Sequence, residues 1–161
     1  MLFMKIHIAQ STASAPTELA AFDTCLQECG VANQNILYLS SIIPPGSEIV
    51  MEAPVYDDNY FGNRLYCVMA QQREVRPHVQ AWAGIGWVTD KKTGKGLFVE
   101  HEGHSEEEIK QDITKTLTDM MERRSTTKWS KIHMAVSGVT CIDKPVCAMV
   151  VAAYQSEGWA E

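Results

Sequence analysis

Ser40 and Ser41, followed by Ile42-Ile43 and Pro44-Pro45, form a stretch that could do chemistry on the chain itself. A serine hydroxyl held rigidly beside a strained peptide bond can attack the preceding carbonyl. Here the Ser41 hydroxyl would attack the carbonyl of Ser40. β-Elimination of the resulting ester leaves a dehydroalanine, which hydrolyses to a pyruvoyl group. That group is a ketone at a new chain end, an electrophile that no ordinary side chain supplies. The plainer reading of the dipeptide is a Ser-Ser turn at the end of a strand. Pro44 biases Ile43 to an extended backbone, and neither proline can donate to a sheet ladder. The serines therefore belong where a strand runs out into a stiff loop.

A second cluster, Glu100-His101-Glu102-Gly103-His104, ends an apolar strand. A carboxyl buried at such a strand end has its pKa raised and can act as a proton donor. Glu100 is the candidate. Glu102 lies one strand period on, on the same face, and sequence alone does not choose between them. The two histidines flank a glycine turn rather than sharing a helix face, so no metal site is assigned. Gly84-Ile85-Gly86 lacks the third glycine and following helix of a nucleotide loop, and reads as close backbone packing.

The elements that must position these residues follow from periodicity. Residues 4–9 read as a strand and Ser11–Pro16 as a loop. Ser14 is expected to cap a helix on which Leu19, Phe22, Leu26 and Cys29 recur at helical spacing until Gly30. Asp23 lies at the margin of that apolar face. Asn33 and Asn35 fill the turn before the strand into Ser40, and Asn35 either satisfies turn backbone or binds near the new ketone.

Strands are expected at 48–51, 65–70, 79–88 and 97–101, with an exposed segment at 71–77 and a hairpin turn at 90–96. Ser105 and Glu108 form a capping box for a helix running to Arg123-Arg124, with Met120 and Met121 in its core. Strands at 132–139 and 146–154 close the chain. Strand–helix–strand units at 4–41 and 97–139 predict an α+β fold, a layered sandwich with mainly antiparallel sheets.

The chain has 161 residues, of which 45% are hydrophobic, and this suits one domain over residues 1–161. Twenty acidic residues outnumber fourteen basic ones, for a formal charge of −6, which argues against a nucleic-acid or anionic-membrane surface. The five cysteines, without a CxxC pair or a secretory signal in MLFMKIHIAQ, point to reduced thiols and a cytoplasmic setting. No apolar run reaches transmembrane length.

The run NILYLSSIIPPGSEIV closely resembles the self-cleavage segment of the pyruvoyl-dependent arginine decarboxylases. AFDTCLQECGVANQN and GLFVEHEGHSEEE match that family in the same order and at similar spacing, whereas residues 56–89 match loosely. The resemblance implies an α/β/β/α sandwich, self-cleaved into residues 1–40 (β chain) and 41–161 (α chain). It implies a lyase that converts L-arginine to agmatine and carbon dioxide through a Schiff base to the Ser41-derived pyruvoyl. Ser40 and Ser41 would be the processing pair, Ser41 and Glu100 the catalytic residues, and Asp23 the carboxylate facing the guanidinium, with Asn35 close by. The family's sites lie between the subunits of a trimer, so Asp23 would serve the Ser41 of an adjacent chain. Glu100→Gln is expected to leave processing intact, because cleavage uses Ser41. The competing readings are a pyruvoyl decarboxylase of another basic amino acid and an unprocessed, non-catalytic trimeric binding protein.

Overall fold

The computed structural model describes residues 3–160; Met1 and Leu2 of the N-terminal run, and Glu161, lie outside the described residues. The first half runs β1 (Met4–Ser14), α1 (Glu18–Glu28), β2 (Asn35–Tyr38), β3 (Ile42–Ile43), β4 (Ser47–Val50) and β5 (Arg64–Glu74). The second runs β6 (Gln80–Thr89), β7 (Gly96–Gly103), α2 (Glu106–Glu122), β8 (His133–Thr140) and β9 (Val146–Glu157). Two sheets result, ordered β2-β5-β9-β1-β4 and β3-β7-β6-β8. Only the β1–β4 and β2–β5 pairings are parallel among the described strands.

Alternation of side chains builds the layers. On β9, Val150 and Ala152 enter the apolar layer between the sheets, with Ile6, Ile8, Ile85 and Phe98. Val151 and Ala153 face the other way, onto Ala21, Cys25 and Leu26 of α1. Buried on both faces, β9 is apolar at nearly every position, as a two-sided central strand must be. On the second sheet, Leu97 and Val99 turn outward onto Ile109, Ile113 and Leu117 of α2. The order is therefore helix, sheet, sheet, helix, the α+β sandwich expected from the sequence.

Helix α2 starts as anticipated, with Ser105 Oγ accepting the Glu108 N–H at 3.1 Å. It sits so close to β6 that a Cβ on Gly86 would collide with Ile113 Cγ2, and one on Gly84 would fall 2.7 Å from Ile109 Cγ2. The glycine pair is thus a packing surface for a helix, as the sequence suggested.

Three expectations change. Residues 11–14 are strand, not loop, because β1 pairs with β9 as far as Ser14–Val146. Thr17, not Ser14, then caps α1, its Oγ1 accepting the Ala20 N–H at 3.0 Å, and Leu19 turns to solvent. Likewise β5 continues to Glu74 against β9, and Glu74 is buried where an exposed segment was expected. In both places a long β9 recruits neighbours whose own residues are too polar or too small to announce a strand.

Candidate active site

The serine pair lies where the chain crosses from one sheet to the other. Leu39 donates its N–H to Cys67 O on β5 at 2.9 Å, which anchors it to the five-stranded sheet. Ser41 accepts the Phe98 N–H on its carbonyl at 2.9 Å, and Ile42 and Ile43 pair with β7, which anchors them to the four-stranded sheet. The peptide between Ser40 and Ser41 spans that gap. Ser40 is exposed, whereas Ser41 is 8% exposed.

Ser41 has φ +69°, one of three non-glycine residues at positive φ among those described. A Cβ-bearing residue held there stores roughly 1–3 kcal/mol of strain. The anchors on either side supply the constraint, since both ends of the crossing are fixed to different sheets. The pair was legible as a strand end; the left-handed backbone and the short β3 after it were not.

Ser41 Oγ donates to Glu100 Oε2 at 2.8 Å. Period-two alternation puts Phe98, Glu100 and Glu102 on the side of β7 that faces the other sheet. Glu102 is engaged elsewhere, with Oε1 accepting the Gln71 N–H at 3.0 Å. The two carboxylates that sequence left equivalent are thus separated by their partners. Glu100 is exposed within the single chain, so the burial expected of it at the strand end is not met there.

The remaining candidates are not brought to Ser41. Asp23 lies on α1, on the outer face of the five-stranded sheet, exposed, and accepts from Gln27 Nε2 at 2.8 Å. Asn35 opens β2 and donates Nδ2 to Gly62 O at 2.9 Å, a contact with turn backbone. His101 Nε2 meets Thr116 Oγ1 at 3.0 Å, and His104 Nδ1 meets Gln80 O at 3.0 Å. Among the described residues no three His, Cys, Asp or Glu side chains are grouped to hold a metal ion. Nor is any described helix long and apolar enough to cross a membrane.

Sequence reasoning missed two groups around Ser41. One is the Phe98 N–H on its carbonyl. The other is Tyr154 of β9, whose hydroxyl donates to Ile42 O at 2.9 Å from the opposite sheet. Burial pushes the Tyr154 phenol well above its usual range, and Glu100 nearby adds to the effect. No local pattern marks either group, because both contacts depend on sheet stacking.

A family model described as pyruvoyl-dependent arginine decarboxylase matches residues 5–157. The pyruvoyl-dependent arginine decarboxylase of Halobacterium salinarum is 30% identical over 154 residues, 93% of each chain. The protein of that name from Thermococcus kodakarensis is 28% identical over 147 residues, 91% of this chain and 92% of its own. The one from Pyrococcus furiosus is 27% identical over 145 residues, 90% of each.

Proposed function

The chain belongs to the pyruvoyl-dependent arginine decarboxylase family, and from that premise we propose how it comes to convert L-arginine to agmatine and carbon dioxide. The observation that carries the reading is the 2.8 Å bond from the Ser41 hydroxyl to Glu100, made by a nearly buried serine at φ +69°. Glu100 takes the hydroxyl proton as Ser41 Oγ attacks the Ser40 carbonyl carbon. The peptide C–N bond opens, its nitrogen gains a proton, and an ester links the two residues. Loss of the Ser41 Cα proton, with Ser40 leaving as a carboxylate, creates a double bond at residue 41. The Phe98 N–H, already on the Ser41 carbonyl, stabilises the charge that gathers on that oxygen as the Cα proton departs. Water then adds at the Cα of residue 41 and its nitrogen leaves as ammonia, giving the pyruvoyl ketone on residues 41–161, with residues 1–40 still associated.

The ketone supplies the electron sink for the pair left behind by carbon dioxide. Glu100, beside residue 41, delivers the proton that the α-carbon then needs. The site fits such a group, since the atoms that become the pyruvoyl are already held by Phe98 and by the β3–β7 pairing. Asp23 pairs with the guanidinium in a planar, charge-assisted fork. Its place on the outer face of the five-stranded sheet supports a role toward the Ser41 of a neighbouring copy. Tyr38, Ile42, Met51 and Val55, all exposed apolar residues close in sequence to the cleavage point, support burial in a homotrimer with sites between subunits. Asn35, at the head of the strand leading to the serines, would help to shape the same site. The five cysteines are free and buried, which supports a cytoplasmic setting.

The test is turnover of carboxyl-labelled L-arginine by purified, fully cleaved protein. Labelled carbon dioxide and an equal amount of agmatine are expected. Lysine and ornithine should be poor substrates, because an ammonium cannot reproduce the fork. A fully cleaved protein that releases no carbon dioxide from arginine overturns the reading.

A further inference from the structure

Tyr154 has no part in the chemistry described above, yet it is the point at which the five-stranded sheet grips the segment that carries the ketone. Its hydroxyl donates to the Ile42 carbonyl at 2.9 Å, across the sheet interface. Its ring lies edge-on to Phe98, with centroids 6.1 Å apart, and Phe98 supplies the N–H on the Ser41 carbonyl. The two residues that hold residues 41 and 42 therefore brace one another, one from each sheet. Tyr154 is 9% exposed, so its phenol would lose a hydrogen bond without a ready solvent replacement if the Ile42 carbonyl moved away.

From this geometry we propose that Tyr154 is a positioning residue for both self-cleavage and decarboxylation, holding the Ile42 carbonyl so that residue 41 keeps its strained backbone before cleavage and its ketone a fixed plane afterwards. Before cleavage, three hydrogen bonds bracket the crossing: Leu39 to β5, Ser41 to β7, and Ile42 to Tyr154. Cleavage removes the tether through Ser40. From then on the hydrogen bonds that hold the new chain end at residue 41, among the described residues, are those to Phe98, in the short β3 pairing and to Tyr154. The hydroxyl thus matters more in the mature protein, in which one end of the crossing has been cut. The phenol remains a donor throughout the working pH range, because burial keeps it protonated.

The inference rests on the self-cleaving reading. Its test separates the two by measuring wild type and Tyr154→Phe side by side, since Phe keeps the ring against Phe98 and removes only the hydroxyl. Precursors made by cell-free synthesis are followed by intact mass, and the mature proteins are then assayed with arginine. The expected result is cleavage slowed about tenfold or more in Tyr154→Phe, and kcat lowered with KM nearly unchanged. Melting of Ser41→Ala with and without Tyr154→Phe isolates the stability effect, and the two should melt within a few degrees of each other. A wild type that cleaves beside a Tyr154→Phe that matches it in cleavage and kcat overturns the positioning role alone. A large drop in melting temperature, with KM and kcat changing together, also overturns it and leaves Tyr154 a structural strut. A wild type that never cleaves rejects the self-cleaving reading, and this inference with it.

Discussion

Replacing Glu100 with glutamine tests whether one carboxylate serves both stages of the chemistry. The side chain keeps its length and an acceptor oxygen, so the 2.8 Å contact with Ser41 Oγ can persist. What is lost is the ability to take the hydroxyl proton. General base catalysis contributes on the order of 10²–10⁴ in rate, which corresponds to roughly 2.7–5.4 kcal/mol of barrier at about 1.36 kcal/mol per tenfold. The strain at Ser41 and the Phe98 N–H both survive the change, so cleavage should slow rather than stop. Because Glu100 is exposed, its replacement should alter folding stability by no more than about 0.5 kcal/mol. This departs from the sequence expectation, in which Glu100 entered only at turnover. The assay is the first-order rate of precursor loss by intact mass, followed by steady-state decarboxylation on material left to cleave fully. Both rates should fall by two to four orders of magnitude, about the range given for general acid–base catalysis. A Glu100→Gln precursor that cleaves at the wild-type rate would refute the proton transfer to Glu100, and normal turnover would pass the donor role to Glu102 or to water.

Asp23→Asn should leave self-cleavage unaltered and cost about 2–5 kcal/mol in kcat/KM for arginine if a neighbouring copy desolvates the pair; unchanged kinetics would return Asp23 to the surface. Glu74 offers a separate test at the far end of β5. The Arg76 guanidinium above all, with the Arg76 and Val75 N–H groups, holds its carboxyl down to about 2. An unfolded glutamate titrates near about 4.3. The stabilisation is therefore complete above that value and is lost as pH falls from there toward 2. Glu74→Gln should flatten the acid limb of stability in that window, read as the urea midpoint against pH, and an unchanged slope would assign the acid sensitivity to other groups.

What the sequence made legible was local. The Ser105 cap, the hairpin turn after Thr89 and the alternation on β7 are short-range signals, and the structure keeps them; of the expected capping box it shows the half in which Ser105 Oγ accepts the Glu108 N–H. The β1 and β5 extensions were hidden because the pairing partner β9, far away in the chain, decides them. Glu100 and Glu102 could not be ranked, since a period of two puts both on one face, and only their tertiary partners tell them apart, Gln71 on the opposite sheet and Ser41 on the crossing segment. The φ of Ser41 was equally invisible. It arises because the chain is pinned to one sheet at Leu39 and to the other at Ser41, a constraint that no property of the Ser-Ser dipeptide encodes.

The central claim is that Ser41 turns itself into the cofactor, and the intact mass of the purified protein tests it most directly. The account predicts two associated pieces, residues 1–40 and 41–161. The larger piece should be blocked to Edman chemistry and gain mass with borohydride or a hydrazine. Ser41→Ala should stay whole. A wild-type protein found as one uncleaved chain, or a Ser41→Ala chain that cleaves efficiently at the same bond, would contradict it.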